Sequence, residues 1–508
     1  MLAQLWHRGR LPMLAGAMLF VIGCQSRSSV VIPVATAPTR VAAAQAEHAL
    51  PPLFDDIERR SFGYFWELGN PNNGLVPDRW PGKSFSSIAA VGFGLTAYGV
   101  GVERGWISRD QAIERTLVTL RFFANAPQGT AVAGMTGYKG FFYHFIKMDS
   151  GVRDARCELS TVDTTLLLGG ILFSQSYFDH DTVREREIRT LADAIYRRIE
   201  WDWAQARAPR IAMGWTPEKG MLAYDWSGYN EAMLVYILAL GSPTHPLGKD
   251  AYVAWTSTYD RTWGTFHGQT HLSFAPLFGH QYSQVWIDLR GLQDDYMGAR
   301  RLDYFENSRR AVYAQRAYAI ANPSGWSGYG ENVWGLTASD GPIDATFQYR
   351  GRARLFRTYS ARGAGIKYSF DDGTIAPTAA VASLPFAPEI VIPAVTEMHR
   401  RYGKNIYRKY GFIDAFNPSF NYAVALKQGK VVASQGWVDD DYIGIDQGPI
   451  LLMIENYRSE FIWKVMRRNP YIRRGLQRAG FAGSWLDKGV LAPAQTRARA
   501  APEPANTH

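Results

Sequence analysis

Two segments a hundred residues apart repeat one pattern of aromatic, small and acidic side chains: Trp226-Ser227-Gly228-Tyr229-Asn230-Glu231 and Trp326-Ser327-Gly328-Tyr329-Gly330-Glu331. Such a combination suits sugar chemistry, and the pair reads as two walls of one aromatic, acidic cleft. Breaking a glycosidic bond usually takes two carboxyl groups, one protonated and one ionised. Five candidates stand at loop-to-helix junctions: Glu158, Asp163, Glu231, Glu331 and Asp446. Asn230 is a good helix N-cap, which puts Glu231 at the mouth of the apolar segment 232–240. A helix dipole favours a carboxylate there by ~0.3–1 kcal/mol, so an acid role for Glu231 requires aromatic desolvation to outweigh the dipole. Asp446, in Gly444-Ile445-Asp446-Gln447-Gly448-Pro449, is expected just ahead of a helix whose first residue is Pro449. The dipole would keep it ionised, as a general base needs. The structural alternatives stay open: Ser160 and Asp163 also read as a capping box, and Glu331 as a helix start.

Further contacts for sugar hydroxyls and faces are expected from Glu158, Trp226, Tyr229, His280, Gln281, Arg290, Trp326, Tyr329, Glu331 and Trp437. Metal chemistry finds little support. Asp439-Asp440-Asp441 and Asp371-Asp372-Gly373 lack the ligand spacing of a calcium loop and read as turns. His267 and His271 are separated by Gly268 and Thr270, a poor helix for a metal pair. No phosphate-binding glycine loop and no Ser-His-Asp order stands out, so neither cofactor nor metal is expected.

The elements that would position these groups are mostly helical. Residues 86–102 and 166–172 are apolar nearly all round and must be buried, whereas 184–203 is Arg/Glu-rich with Ile188, Leu191, Ile195 and Ile199 as its inner face. Ser108 and Gln111 form a capping box ahead of an Ile113, Leu117, Leu120, Ala124 stripe. Buried helices alternating with amphipathic ones are what an inner and an outer ring require. The expected fold is all-α, an (α/α)6 toroid of six helical hairpins. Strand signal is confined to 345–370 and to 419–434, where Gln428-Gly429-Lys430 makes a hairpin turn; both read as insertions over one mouth of the ring.

The ends have a different character. His7, Arg8 and Arg10 precede a short apolar stretch, too short at 11–22 for a span of ~20 residues, which closes on Gly23-Cys24. This is the pattern of a bacterial lipoprotein signal (1–23), with Cys24 as the lipidated residue, 24–50 a flexible tether, 51–488 one catalytic domain and 489–508 a disordered tail. Gln25 and Ser26 lack the acid that retains lipoproteins at the inner membrane, so the expected site is the periplasmic side of the outer membrane. With Cys24 taken by lipid, the second of two cysteines, Cys157, has no disulfide partner. The net charge of +9 is scattered rather than gathered in a stripe on a recognisable module, which argues against a nucleic-acid partner.

Several segments taken together resemble a known family. They are Cys157-Glu158-Leu159-Ser160-Thr161-Val162-Asp163-Thr164, Gly228-Tyr229-Asn230-Glu231-Ala232-Met233, Leu240-Gly241-Ser242-Pro243-Thr244-His245-Pro246, His280-Gln281-Tyr282-Ser283, Thr374-Ile375-Ala376-Pro377-Thr378-Ala379-Ala380 and Ile445-Asp446-Gln447-Gly448-Pro449-Ile450, followed by Glu455-Asn456-Tyr457-Arg458. In this order they resemble the bacterial glucoamylase-like family that includes endo-β-1,2-glucanases of glycoside hydrolase family 144, related to the C-terminal part of cyclic β-1,2-glucan synthases. The likeness covers roughly residues 53–485. It implies an (α/α)6 barrel acting on β-1,2-linked glucans, with Glu231 as acid, Asp446 as base and Asp163 in the cleft. Gln284 departs from the His common at that position. The first expectation is therefore a monomeric lipoprotein enzyme that cuts β-1,2-glucan to short sophoro-oligosaccharides. The competing readings are exo-acting or transglycosylating action in the same cleft, and a surface lipoprotein that only binds glycan.

Overall fold

Among the described residues, six helices are buried on nearly every face: Ile88–Glu103, Thr161–Tyr177, Met233–Gly241, Phe278–Trp286, Pro377–Val381 and Gly444–Ser459. In chain order each is followed by a more polar, one-sided helix, as in Arg109–Asn125 after the first and Val183–Arg197 after the second. This is the alternation read from hydropathy. The computed structural model describes residues 49–488. The expected signal peptide, the expected lipidation site Cys24, most of the expected tether and the expected tail lie outside the described residues.

Local chemistry sets the boundaries. Ser108 accepts the Gln111 N–H (3.2 Å) while the Gln111 side chain accepts the Ser108 N–H (2.8 Å), so the expected capping box forms. Ser87 and Ser160 cap the first two buried helices by accepting the N–H of Ala90 and Asp163. Those two helices cross at glycines. A Cβ on Gly170 would stand 2.0 Å from the Gly92 carbonyl oxygen, and one on Gly92 would stand 2.2 Å from that of Leu166. The first helix, Pro52–Leu68, packs against Gly444–Ser459, the last of the buried six.

Strand content is wider than expected. Ala345–Tyr349 does pair with Arg352–Phe356. The second predicted hairpin turns at 433–435 instead of Gln428-Gly429-Lys430, because Lys430–Val432 is itself a strand paired with Gly436–Val438. A five-stranded sheet runs Gly137–Tyr138, Phe141–Tyr143, Leu159–Ser160, Gly214–Thr216, Gly220–Met221. Its members are two or three residues long, too short to register an alternating pattern. The fold is therefore helical with many short strands, and several of these lead directly into buried helices: Ser86–Ser87, Leu159–Ser160 and Tyr442–Ile443 each end where one begins.

Candidate active site

Glu231 stands before a helix, though not within it. The helix starts at Met233, two residues later than an Asn230 cap would place it, and the Asn230 side chain accepts the Ala232 N–H (3.0 Å) to shape the turn. The Glu231 carbonyl accepts the Ser283 hydroxyl (2.9 Å), whose oxygen accepts the Leu234 N–H (3.1 Å), so the loop is fastened to the Phe278–Trp286 helix. Behind it Tyr229 stacks on Tyr304 (5.6 Å between centroids) and leans on His280 (5.0 Å). Trp226 donates its indole N–H to Thr161 (2.9 Å). The residue is 8% exposed, and among the described residues its buried Oε2 has no hydrogen-bond partner. Burial, reinforced by the charge of Asp163, pushes Glu231 up to about 7. Desolvation wins over the dipole.

Asp163 lies in the first turn of its helix, where Oδ2 accepts the Ser160 hydroxyl at 2.5 Å. Its other oxygen is 3.5 Å from His144 Nε2, and His144 Nδ1 meets Glu158 at 2.9 Å. Burial alone would depress His144, but Asp163 and Glu158 override it and lift the imidazole to about 9. Glu158, which burial would raise, is drawn down to about 2 by the hydrogen bond and charge of His144.

Asp446 corrects an expectation. The helix begins at Gly444, so Asp446 is inside its first turn and Pro449 lies within the helix. Proline cannot donate to the carbonyl four residues back, and the Tyr282 hydroxyl takes that Ile445 carbonyl instead (3.1 Å). Despite the dipole, burial and then the charge of and hydrogen bond to Asp414 hold Asp446 far above the usual carboxylate range. Asp414 itself is raised to about 7, by burial and by Asp340. Two carboxyl groups in contact cannot both ionise, so this pair shares a proton. Arg79 donates Nη1 to Asp340 (2.8 Å) and Asp441 (2.9 Å), and the Asp340 N–H donates to Asp414 (2.6 Å). Asp340, Asp414 and Asp439 bring carboxylate oxygens within 4.8 Å of one another and are the residues that could hold a cation. Asp439 and Asp441 are thus part of this cluster rather than of an isolated turn.

The two acidic groups are linked through shared neighbours. Tyr282 feels the charges of both Asp446 and Glu231, Glu231 feels Asp163, and His144 feels Asp163 on one side and Asp78 on the other. Asp78 in turn adjoins Arg79 and Asp340. The neighbours close into a ring at the leading ends of the buried helices.

Other predicted contacts fall elsewhere. Glu331 is exposed and paired with Arg316, so the second aromatic-acid segment is no second wall. Arg290 follows the far end of the Phe278–Trp286 helix, where it pairs with Asp288 and Glu460 and lies over Trp463. Trp437 is fully buried with its indole on the Gln428 carbonyl, and buried Trp326 donates to Asp371, so neither offers a face for stacking; half-buried Tyr329 donates its hydroxyl to the same Asp371. His280 and Gln281 are packing residues as well. Burial drives His280 down to about 3, its Nε2 meeting the Phe274 carbonyl, while Gln281 donates to Ala379 and Ser383. Gln284 bonds Tyr304 and Ser308 inside the core and does not reach substrate space. Sequence reasoning missed His144, Arg79, Asp340 and Asp414. Asp340 and Asp414 lie outside helices and strands, and only Asp340, beside Gly341, would have been visible as an acid at a turn.

Comparison with known proteins bears on what such a ring does. Residues 223–470 match a family model described as “Putative glucoamylase”. A crystal structure of a “putative glucoamylase” from Bacteroides uniformis is 32% identical, with a TM-score of 0.73 over 86% of this chain and 98% of that one. An endo-β-1,2-glucanase from Chitinophaga pinensis, solved with sophorotriose and glucose, is 28% identical with a TM-score of 0.72, covering 86% of this chain and 100% of that one. An exo β-1,2-glucooligosaccharide sophorohydrolase (non-reducing end) from Parabacteroides distasonis is 29% identical over 458 residues, 84% of this chain. The chain spans 57% of that relative's length.

Proposed function

The chain belongs to the Glycoamylase family, and from that membership and the acid ring we propose that it is a glycoside hydrolase that cleaves β-1,2-glucan to short sophoro-oligosaccharides. The observation that carries the reading is Glu231: a buried carboxyl with a free oxygen, raised to about 7 with no cation paired to it. It is an acid ready to protonate a glycosidic oxygen near neutral pH. As the C–O bond breaks, Glu231 gives its proton to the leaving oxygen, and a water attacks the anomeric carbon. Asp446 is the proposed base that takes the water's proton. At rest the pair's proton sits on Asp446, which is held higher than Asp414, so Asp446 acts as base only once that proton has passed to Asp414. The charge of Asp163, held between Ser160 and His144, helps keep Glu231 protonated.

In the same proposal the six buried helices form the inner ring of an (α/α)6 toroid, and the domain of residues 51–488 is tethered by a lipidated Cys24 to the periplasmic face of an outer membrane. The names of the relatives support the linkage; release of disaccharide from chain ends is the second reading, favoured by the Parabacteroides relative. The test is product analysis on linear and cyclic β-1,2-glucan with the natural chain and Glu231→Gln. Glu231→Gln is expected to lose about 10²–10⁴-fold in turnover and to keep its affinity for oligosaccharide. Unchanged turnover rules out Glu231 as the acid, and absence of products from the natural chain overturns the reading. Cleavage of the cyclic substrate requires endo action; disaccharide from linear chains alone indicates exo action.

A further inference from the structure

Most large aromatic faces near the cleft are spent on packing, and one is not. Tyr224 and Tyr359 are the tyrosines strongly exposed among the described residues, and Tyr359, at 40%, is the one beside the acids. Its hydroxyl lies within electrostatic reach of Asp446 first, then of Asp414, Asp340 and Asp78. It also adjoins Tyr282, which spans from Asp446 toward Glu231.

The backbone on either side of Tyr359 is fixed with unusual care. Arg362 and Asp372 are both fully buried and pair through two hydrogen bonds of 2.8 Å. The same guanidinium donates to the carbonyls of Arg357 (2.9 Å) and Thr358 (3.1 Å), and Asp372 accepts the Arg357 N–H (3.1 Å). Asp344 accepts both the N–H (3.1 Å) and the hydroxyl (2.7 Å) of Thr358. A buried ion pair is a costly way to hold a surface loop unless its position matters. Among the described residues, the side chain so presented has no hydrogen-bond partner.

We propose that Tyr359 is a substrate contact: its ring is a platform for a glucose unit held over Asp446, and its hydroxyl bonds a hydroxyl of that sugar. The physical need is plain. The floor of the cleft is carboxyl-rich and supplies mostly acceptors, whereas a pyranose also presents an apolar C–H face and hydroxyl oxygens that require an apolar partner and a donor. Tyr359 supplies both from a strap clamped by Arg362 and Asp372. The inference rests on the proposed glycan-cleaving function and goes beyond it by naming a binding residue outside the acid ring.

The test compares Tyr359→Phe and Tyr359→Ala with the natural chain on linear β-1,2-glucan. Oligosaccharide binding is measured in parallel by calorimetry in the Glu231→Gln background. Because Tyr359 is exposed and unbonded, both variants are expected to fold with an unchanged Tm. Tyr359→Phe is expected to weaken binding about three- to tenfold by loss of one hydrogen bond. Tyr359→Ala is expected to weaken it about ten- to hundredfold by loss of the face as well, with KM rising more than kcat falls. If the natural chain cleaves the glucan and Tyr359→Ala matches it in both KM and affinity, the contact is refuted while the hydrolase reading stands. If the natural chain neither binds nor cleaves, both fall together.

Discussion

Glu231 is acidic by the wrong rule for its position and the right one for its surroundings. An acid ahead of a helix is ordinarily stabilised in its charged form, by ~0.3–1 kcal/mol. Here the helix begins only at Met233, the carboxyl is buried, and the nearest charge is the like charge of Asp163. Asp163→Asn removes that charge, so Glu231 should lose its proton more easily. The alkaline limb of the kcat profile is then expected to move to lower pH, by about 0.5–1. A limb that stays where it is would show that Asp163 does not act on Glu231. At this scale the sequence was partly legible. Glu231 and Asp163 could be found because each follows closely on a polar residue that shapes the chain there, Asn230 or Ser160, at the edge of an apolar run. The protonation state of Asp446 could not, because it depends on Asp414, thirty-two residues away in the chain and in contact only after folding.

Helices do the positioning, and their spacing is set by side chains that are missing. At the crossing of Ile88–Glu103 with Thr161–Tyr177 the backbones meet at Gly92 and Gly170. Gly170→Ala is expected to cost about 1–3 kcal/mol or more, since the added methyl meets a carbonyl that cannot rotate away. It should also lower turnover by shifting the helix that carries Asp163. Gly82→Ala, where a methyl meets nothing within 4 Å, is the control for an inert position. A Gly170→Ala protein with the Tm of the natural chain would contradict this packing account. The buried helices were readable from hydropathy, since an all-apolar segment has one place to go. The short strands were not: the Gly137–Tyr138 to Gly220–Met221 sheet is assembled from pieces of two or three residues whose pairing is decided by neighbours distant in the chain.

For the whole molecule, the helix ends bring the acids near one another while the packing absorbs most of the aromatics. The repeat of Trp-Ser-Gly-Tyr-x-Glu misled on that point. Glu231 lies buried beside Asp163 and Trp226 bonds Thr161 on the same helix, but Trp326 is buried against Asp371 and Glu331 faces solvent with Arg316. Spacing could match two local patterns; only tertiary packing decided which acid was desolvated. The same scale carries the proposed anchoring. Cys24→Ser, expressed from the full chain, is expected to move the protein from the membrane to the soluble fraction, and membrane retention of the variant would contradict lipidation there. The central claim, a buried protonated Glu231 acting as the acid, is tested most directly by kcat on linear β-1,2-glucan as a function of pH. Burial raises Glu231 to about 7, so the active, protonated form is full below that pH and lost above it. The account predicts turnover that falls along an alkaline limb near pH 7 and is lost at all pH values in Glu231→Gln; turnover that stays level through about pH 9, or that survives Glu231→Gln, would contradict it.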